Sequence, residues 1–174
     1  MSKISDLVAA RVRDVPDFPK PGIVFKDIAP LLADGSAFRA LVDDITGRYA
    51  GQVDVVAGIE ARGFIFGAPV ALALGLGFVP IRKAGKLPGD TIASVYSLEY
   101  GTAEVEVQAD AFAPGARVLL IDDVLATGGT AAAACELIER CGAEVTGLEF
   151  VIELAFLDGR DRLAHRPVDA VLTV

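Results

Sequence analysis

Histidine and cysteine are scarce in this 174-residue sequence, which has one histidine and two cysteines. The histidine, His165, lies in the segment LAHRPVD late in the chain, and we expect it at the surface. A single histidine argues against a Ser-His-Asp hydrolase and against a multi-histidine metal site. Cys135 and Cys141 share one predicted helix but lack metal-ligand spacing. We expect them to be buried thiols of a cytoplasmic protein.

Basic residues are also few, since 16 Lys and Arg stand against 24 Asp and Glu. The formal net charge is -8 and the pI is about 4.6. Because no excess of cations exists to neutralise phosphates, this balance argues against broad contact with nucleic acid or an anionic membrane. A polyanionic ligand would therefore need a local site, and we expect such a site to be assisted by a metal ion.

Long uninterrupted apolar helices are missing as well. The first 14 residues carry charges throughout, so we expect no secretion signal among them. Residues 63–81 are uncharged and long enough to span a membrane on length alone. However, Gly67, Pro69, the Gly75-Leu76-Gly77 break and Pro80 divide this stretch. It is therefore predicted to form a buried helix, a turn and a strand.

Apolar runs alternate with helix-like segments through most of the chain. Strands are predicted at 53–59, 78–81, 116–122, 144–154 and 168–174, and helices at 4–12, 36–49, 64–74 and 128–141. Near-continuous Val, Ile and Leu runs separated by helices are typical of parallel strands that are covered on both faces. We predict an α/β fold with a doubly wound, mainly parallel sheet and helices on both faces. The length favours one domain over residues 1–174.

Two segments depart from this alternation. Residues 17–36, DFPKPGIVFKDIAPLLADGS, are rich in Pro, Gly and Asp and are predicted to form an ordered loop. In the simplest interpretation, Phe18, Val24 and Phe25 anchor this loop on the core. Residues 93–108 alternate around Gly101 like an antiparallel hairpin, and together with the preceding RKAGKLPGDT they look inserted into the sheet pattern.

The segment VLLIDDVLATGGT, at 118–130, carries the strongest chemical signal. An apolar strand ends in Asp122 and Asp123, and a turn of small residues then opens a helix. Backbone amides and hydroxyls at the start of that helix suit a phosphate monoester, while the vicinal hydroxyls of a ribose are natural partners for the two carboxylates. No Lys follows the glycines, so this is not a nucleoside-triphosphatase loop. For an isolated Asp pair, capping of the turn would be the simpler interpretation.

This string resembles the phosphoribosyl-pyrophosphate signature of the type I phosphoribosyltransferases. Four further segments, FPKPGIVFKDI, GIEARGFIFG, IRKAGKLPG and YSLEYG, occur in the order and spacing of the adenine branch of that family. The match extends from about Asp17 to Glu153. The resemblance implies the type I phosphoribosyltransferase fold, with a small N-terminal hood at about residues 1–35 and a flexible loop and hairpin at about residues 83–107.

The resemblance also implies roles for individual residues. It assigns phosphoribosyl pyrophosphate and AMP binding to Asp122, Asp123, Ala126, Thr127, Gly128, Gly129 and Thr130. It assigns pyrophosphate binding to Ala61, Arg62, Lys83 and Lys86. An Arg62 guanidinium can donate two parallel hydrogen bonds to phosphate oxygens. The competing interpretations are a surface pair between Arg62 and Glu60, and a solvated charge run that includes Lys86.

Adenine binding is assigned in the same way to Val24, Phe25 and Lys26, with the Phe25 ring stacked on the base. Lys26 replaces the Arg that is often found there, which keeps a cation near the phosphates but loses a bidentate contact. Glu99 matches the general acid/base that manages the imidazole proton of adenine. Tyr96 and Tyr100 belong to the segment that closes over the reactants and excludes water.

The implied activity is transfer of the phosphoribosyl group from 5-phospho-α-D-ribose 1-diphosphate to N9 of adenine, which yields AMP and pyrophosphate. Mg²⁺ is the implied cofactor, held mainly by substrate oxygens and water, with no firm protein ligand. A homodimer is also implied. Two alternatives stay open: another purine base as acceptor, or a non-catalytic sensor of phosphoribosyl pyrophosphate. A DNA-binding regulator is disfavoured because the chain is acidic and has no room for a helix-turn-helix module.

Overall fold

A seven-stranded sheet runs through the computed structural model, which describes residues 3–97, 102–163 and 165–174. The described strands are β1 (Arg13–Pro16), β2 (Val24–Asp27), β3 (Val55–Ile59), β4 (Gly77–Lys83), β5 (Thr91–Ser97), β6 (Thr102–Gln108), β7 (Arg117–Leu125), β8 (Glu144–Glu153) and β9 (Val168–Thr173). The helices are α1 (Lys3–Ala9), α2 (Ala29–Ala33), α3 (Gly35–Tyr49), α4 (Arg62–Leu74) and α5 (Gly129–Arg140), with 3₁₀ turns at Ala155–Leu157 and Gly159–Leu163.

The order of strands in the large sheet is β5-β6-β4-β3-β7-β8-β9. Strands β4, β3, β7, β8 and β9 are parallel, whereas β6 is antiparallel to both β4 and β5. The predicted doubly wound, mainly parallel sheet is confirmed. The predicted hairpin is also present, as β5 and β6. It extends the main sheet at the end of β4, where Arg82 and Lys83 lie opposite Glu106 and Val105.

Strand β7 shows why the apolar runs form central strands. Val118 and Leu120 belong to the core on the α5 face, while Leu119 and Ile121 belong to the core on the opposite face. That second face is covered by α3 and α4, whose buried side chains include Leu41, Ile45, Phe66 and Val70. Alternate residues of one strand are thus buried in two separate cores, so the strand must be apolar throughout.

The expectation that residues 17–36 form a loop is wrong in part. Val24–Asp27 pairs antiparallel with Arg13–Pro16 as a separate two-stranded ribbon, and Ala29–Ala33 is helical. Pro19, Pro21 and Gly22 lie together before Val24–Asp27, which itself contains no proline or glycine and is free to extend. The anchoring interpretation is also wrong for Phe18 and Val24, which are 51% and 50% exposed.

The histidine, the two cysteines and the uncharged stretch were each given a predicted environment. His165 is exposed, as predicted. Cys135 is a buried free thiol, but Cys141 is only partly buried because it lies at the C-terminal cap of α5. The uncharged stretch at 63–81 folds as most of α4 followed by β4, with Gly75 in the left-handed conformation between them. Within the described part of the chain, no helix combines the length and apolar character needed to cross a membrane.

A buried ion pair joins α3 to the sheet. Glu149 of β8 is 0% exposed, and its two carboxylate oxygens accept hydrogen bonds of 2.6 and 2.9 Å from the guanidinium of Arg48. Burial raises the pKa of Glu149 to about 7, against the opposing effect of Arg48. Nearby, the Tyr49 hydroxyl donates to Asp169 at 2.9 Å. The helix is therefore held in place by a charged contact as well as by its apolar face.

Arg48→Met should destabilise the fold by about 3 kcal/mol at pH 8, because it leaves the buried carboxylate of Glu149 without its cation. This loss of folding stability should be smaller at pH 5. Since the pKa of Glu149 is raised in the folded state, that state binds more protons than the unfolded chain, and stability falls as pH rises through this window. Urea unfolding at several pH values measures the effect. Asp44→Ala, which removes only the partly exposed helical partner of Arg48, is the control. An equal loss at pH 5 and pH 8 would contradict the assignment.

Candidate active site

Two carboxylates lie at the carboxyl end of β7, in the centre of the sheet. Asp123 is 2% exposed, and its backbone amide donates a 2.8 Å hydrogen bond to Oδ1 of Asp122. Burial raises the pKa of both side chains, and the charge of Asp123 raises that of Asp122 further. The pair is therefore an electrostatically unfavourable arrangement in the free protein, which a ligand with hydrogen-bond donors would relieve.

Arg62 lies beside this pair, at the first position of α4. Its Nε atom is 2.8 Å from Oδ2 of Asp123, and this attraction opposes the rise in the Asp123 pKa. The contact is not aligned as a hydrogen bond, and Oδ2 has no hydrogen-bond donor among the described residues. The same guanidinium lies over the ring of Phe25, with its carbon 5.7 Å from the ring centroid. Arg62 thus brings together residues predicted for the base, the pyrophosphate and the ribose.

The alternative pairing of Arg62 with Glu60 is wrong. Glu60 instead accepts a 2.7 Å hydrogen bond from Nε of Arg82 and a 3.3 Å hydrogen bond from the backbone amide of Lys83. The segment that leads into α4 is therefore tied to the end of β4, and the Arg62 side chain, 46% exposed, is turned towards β7.

Close packing sets the distance between α4 and the Asp pair. A Cβ atom on Gly63 would lie 2.6 Å from the backbone oxygen of Ile121 and 3.1 Å from Oδ1 of Asp122. Any side chain at this position would push the start of the helix away from β7. The glycine that follows Arg62 is thus what allows the guanidinium to reach Asp123.

The turn after β7 is also fixed by close contact. Gly128 has a φ of 78°, and a Cβ atom there would overlap the carbonyl group of Gly159 in the second 3₁₀ turn. The first turn of α5 has no side-chain cap. Its free amides face a small cavity of about 80 Å³ that is lined by Asp122 and by residues 124–131. Uncapped amides at a helix N-terminus suit an anionic group such as a phosphate.

The remaining predicted residues lie around this centre. Ala61 is the N-terminal cap of α4, and Lys83 and Lys86 are exposed near the end of β4. Val24 lies on the exposed ribbon, where Lys26 forms a 2.7 Å ion pair with Asp14. Tyr96 lies in β5 and packs against the core on the α5 face. Glu99 and Tyr100 lie outside the described residues.

Sequence reasoning missed two residues that shape the site. Gly159 lies far along the chain from the turn that it supports, and a lone glycine beside Asp158 gives no local sign of that contact. Glu106 alternates with valines in β6, which is the pattern of a solvent-facing side chain, yet it is 5% exposed. Its oxygens accept hydrogen bonds from the turn that carries Lys86. A contact of this kind depends on the fold of another segment, so no local pattern could have indicated it.

The donor set near β7 is made of oxygen atoms, which suits a hard cation such as Mg²⁺. The described residues contain no group of three His, Cys, Asp or Glu side chains placed to hold a metal ion. The buried Oδ2 of Asp123 has no hydrogen-bond donor there. An oxygen donor set that includes this buried carboxylate oxygen fits a hydrated Mg²⁺ ion.

The fold and this arrangement define a class: doubly wound α/β proteins with an uncapped helix start and an acidic pair at the carboxyl edge of the sheet. The family can be named from comparison. Residues 29–168 match the model of the phosphoribosyl transferase domain, and the chain belongs to that family.

Relatives within this family are close in sequence and in structure. The adenine phosphoribosyltransferase of Acidothermus cellulolyticus is 60% identical over 172 residues, which cover 98% of this chain and 97% of that protein. The adenine phosphoribosyltransferase of Thermoanaerobacter pseudethanolicus has a TM-score of 0.94 at 45% identity, covering 97% of this chain and 99% of that one. The Saccharomyces cerevisiae adenine phosphoribosyltransferase, complexed with an imino-altritol bisphosphate and adenine, has a TM-score of 0.95 at 40% identity. The match covers 99% of this chain and 100% of that one.

Asp122→Asn should make the ligand-free protein more stable at high pH, because it removes one charge from the buried pair while keeping an oxygen that accepts from the Asp123 amide. The raised pKa of Asp122 means that its charged form is disfavoured in the folded state. The stabilisation should therefore diminish as the pH falls and Asp122 takes up a proton. Thermal unfolding between pH 5 and pH 9 measures this, with Asp110→Asn in the exposed turn after β6 as the control for charge. A lower melting temperature throughout would refute it.

Proposed function

We propose that the chain is an adenine phosphoribosyltransferase, which transfers the phosphoribosyl group of 5-phospho-α-D-ribose 1-diphosphate to N9 of adenine and releases pyrophosphate. The observation that carries the proposal is the position of Arg62 between Phe25 and Asp123. Residues predicted to bind the base, the pyrophosphate and the ribose therefore lie around one side chain, Arg62. The close relatives with this name support the same substrate pair.

Asp122 and Asp123 would accept hydrogen bonds from the vicinal hydroxyls of the ribose. The 5-phosphate would lie in the turn formed by residues 126–130, where the amides of the first turn of α5 and the Thr127 and Thr130 hydroxyls can donate. Because burial disfavours the charges of the Asp pair in the free protein, hydroxyl donors would be favoured there. The pair therefore holds the sugar and orients its C1 atom.

Pyrophosphate would lie between the start of α4 and the end of β4. Arg62 is more than a third exposed and within reach of both the Asp pair and solvent, so its remaining guanidinium N–H groups can donate to phosphate oxygens. Ala61 contributes backbone at the same turn, and the exposed Lys83 and Lys86 add two cations. These charges neutralise the departing group as the C1–O bond breaks and positive charge develops on the ribose.

Adenine would stack on the ring of Phe25, which also lies under the Arg62 guanidinium. Phe18 contacts the Phe25 ring edge to face, with ring centroids 5.2 Å apart, and so fixes its orientation. The backbone around Val24 is free to read the base's Watson–Crick edge, and Lys26 stays near this ribbon. Glu99 would exchange the imidazole proton as N9 forms its bond to C1, and Tyr96 and Tyr100 would help to exclude water.

Mg²⁺ is part of the proposal, with Asp122 and Asp123 offering oxygens towards its hydration shell and the donor supplying the other ligands. When bound, the ion neutralises charge on the pyrophosphate. A homodimer and a cytoplasmic location are likewise predictions that follow from the family resemblance. Light scattering of the purified protein tests the dimer.

The substrate pair is tested by measuring AMP formation from adenine and phosphoribosyl pyrophosphate, with and without Mg²⁺. Hypoxanthine, guanine and xanthine are run in parallel. We expect metal-dependent AMP and little product from the other bases, because the relatives named for adenine are similar over nearly the whole chain. A preference for another base would identify that base as the acceptor substrate. Binding of phosphoribosyl pyrophosphate without turnover would favour a sensor.

Arg62→Ala should lower kcat/KM for phosphoribosyl pyrophosphate at least about tenfold, the effect of losing one charge-assisted contact of about 1.4 kcal/mol. Affinity for AMP, which lacks the pyrophosphate group, should change less. Initial rates in both directions and AMP titration measure the two effects. Arg39→Ala, at an exposed position of α3, is the control. If Arg62→Ala catalysed pyrophosphorolysis of AMP at the parent rate, the assignment of Arg62 to the pyrophosphate site would be wrong.

A further inference from the structure

Glu106 is a buried carboxylate outside the set of predicted site residues. It lies in β6, between β5 and β4, and is 5% exposed. Its Oε1 atom accepts hydrogen bonds from the backbone amides of Lys86 and Leu87, at 2.8 and 2.9 Å. Its Oε2 atom accepts from the hydroxyl of Thr91 at 3.2 Å. One side chain therefore ties the middle of the turn between β4 and β5 to Thr91, the first residue of β5.

Burial opposes the negative charge of Glu106, but hydrogen bonds from the amides of Leu87, Gly85 and Lys86 outweigh it and lower its pKa. The carboxylate thus stays charged inside a ring of backbone donors. Removing it would leave those donors without their acceptor, which costs far more than an ordinary surface hydrogen bond. Three backbone amides of the turn donate to this one carboxylate, so the shape of the turn depends on this residue.

The turn is connected in the other direction to the start of α4. Nη1 of Arg82 donates to the carbonyl oxygen of Lys86 at 3.0 Å. Nε of the same residue donates to Glu60 at 2.7 Å, two positions before Arg62. A continuous series of hydrogen bonds therefore runs from Glu106 through Lys86 and Arg82 to Glu60, and it joins the two segments that carry the proposed pyrophosphate ligands.

We propose that Glu106 is a positioning residue for pyrophosphate, which holds the Lys83–Leu87 turn so that its cations stay at a fixed distance from Arg62. The proposal rests on the proposed function, in which Lys83 and Lys86 bind pyrophosphate. Glu106 itself does not touch the substrates. It acts by fixing the backbone from which the lysines project.

Three variants separate geometry from charge. Glu106→Leu removes every acceptor at a similar side-chain volume. Glu106→Gln keeps the geometry, because its oxygen can accept from both amides while its NH₂ group donates to the Thr91 hydroxyl, which can rotate to accept. Thr91→Val removes one contact only and tests the same idea if Glu106→Leu fails to fold. Glu104→Leu, an exposed residue on the same strand, is the matched control for loss of charge.

The expected result is a rise of about tenfold in KM for phosphoribosyl pyrophosphate and for pyrophosphate with Glu106→Leu, since cations on a loosened turn must be ordered when the ligand binds. Thr91→Val should give a smaller rise of the same kind. AMP affinity and KM for adenine should stay within about twofold, because these ligands do not use the turn. Glu106→Gln should restore most of the affinity, and Glu104→Leu should behave as the parent.

A double-mutant cycle completes the test. If Glu106 acts through the lysines, the combined Lys83→Ala and Lys86→Ala variant should already show most of the rise in KM for pyrophosphate. Adding Glu106→Leu to it should then raise this KM little further. The proposal is overturned by an unchanged KM for pyrophosphate, by an equal loss of AMP affinity, by fully additive effects in the cycle, or by Glu106→Gln failing as badly as Glu106→Leu. Failure of the proposed function is seen separately, as absence of AMP formation by the parent protein.

Discussion

Two neighbouring carboxylates at a strand end, Asp123 buried and Asp122 partly buried, need a cation close to them, and Arg62 meets that requirement for Asp123. Contacts in several other parts of the chain depend on this position of Arg62. Gly63 must lack a side chain for α4 to start against β7, and Glu60 must be held elsewhere, by Arg82, for Arg62 to turn towards the Asp pair. The position of Phe25 under the same guanidinium then brings the N-terminal ribbon to the site.

This arrangement also explains how one arginine can serve a reaction in which charges move. In the free protein its charge balances part of the Asp pair, and its partly exposed face remains open to solvent. Hydroxyl donors from a ribose would satisfy the carboxylates and leave the guanidinium free for phosphate oxygens. In the proposed reaction, the same side chain would contribute to the stability of the empty site and to the neutralisation of the leaving group.

The parts of the fold that follow from local pattern were predictable. The apolar runs of β7 and β8 and the helix of residues 129–140 were found from sequence because burial on two faces leaves an unbroken apolar signal. The ribbon of β1 and β2 was missed, since each strand has four residues and neither contains a fully buried residue. At the site, residue types and motif resemblance selected Phe25, Arg62 and Asp123. Their meeting point, and the support from Glu106 and Gly159, depend on segments distant in sequence, which no local pattern encodes.

The contact between Gly128 and Gly159 has a consequence for binding strength. The turn that would receive the 5-phosphate is packed directly on a 3₁₀ turn that follows β8, so its backbone is ordered as soon as the chain folds. Conformational entropy at this turn is thus lost during folding and not during ligand association. A phosphate bound there would meet donors that are already in place, so its affinity would be limited by desolvation of the two partners and not by reorganisation of the loop.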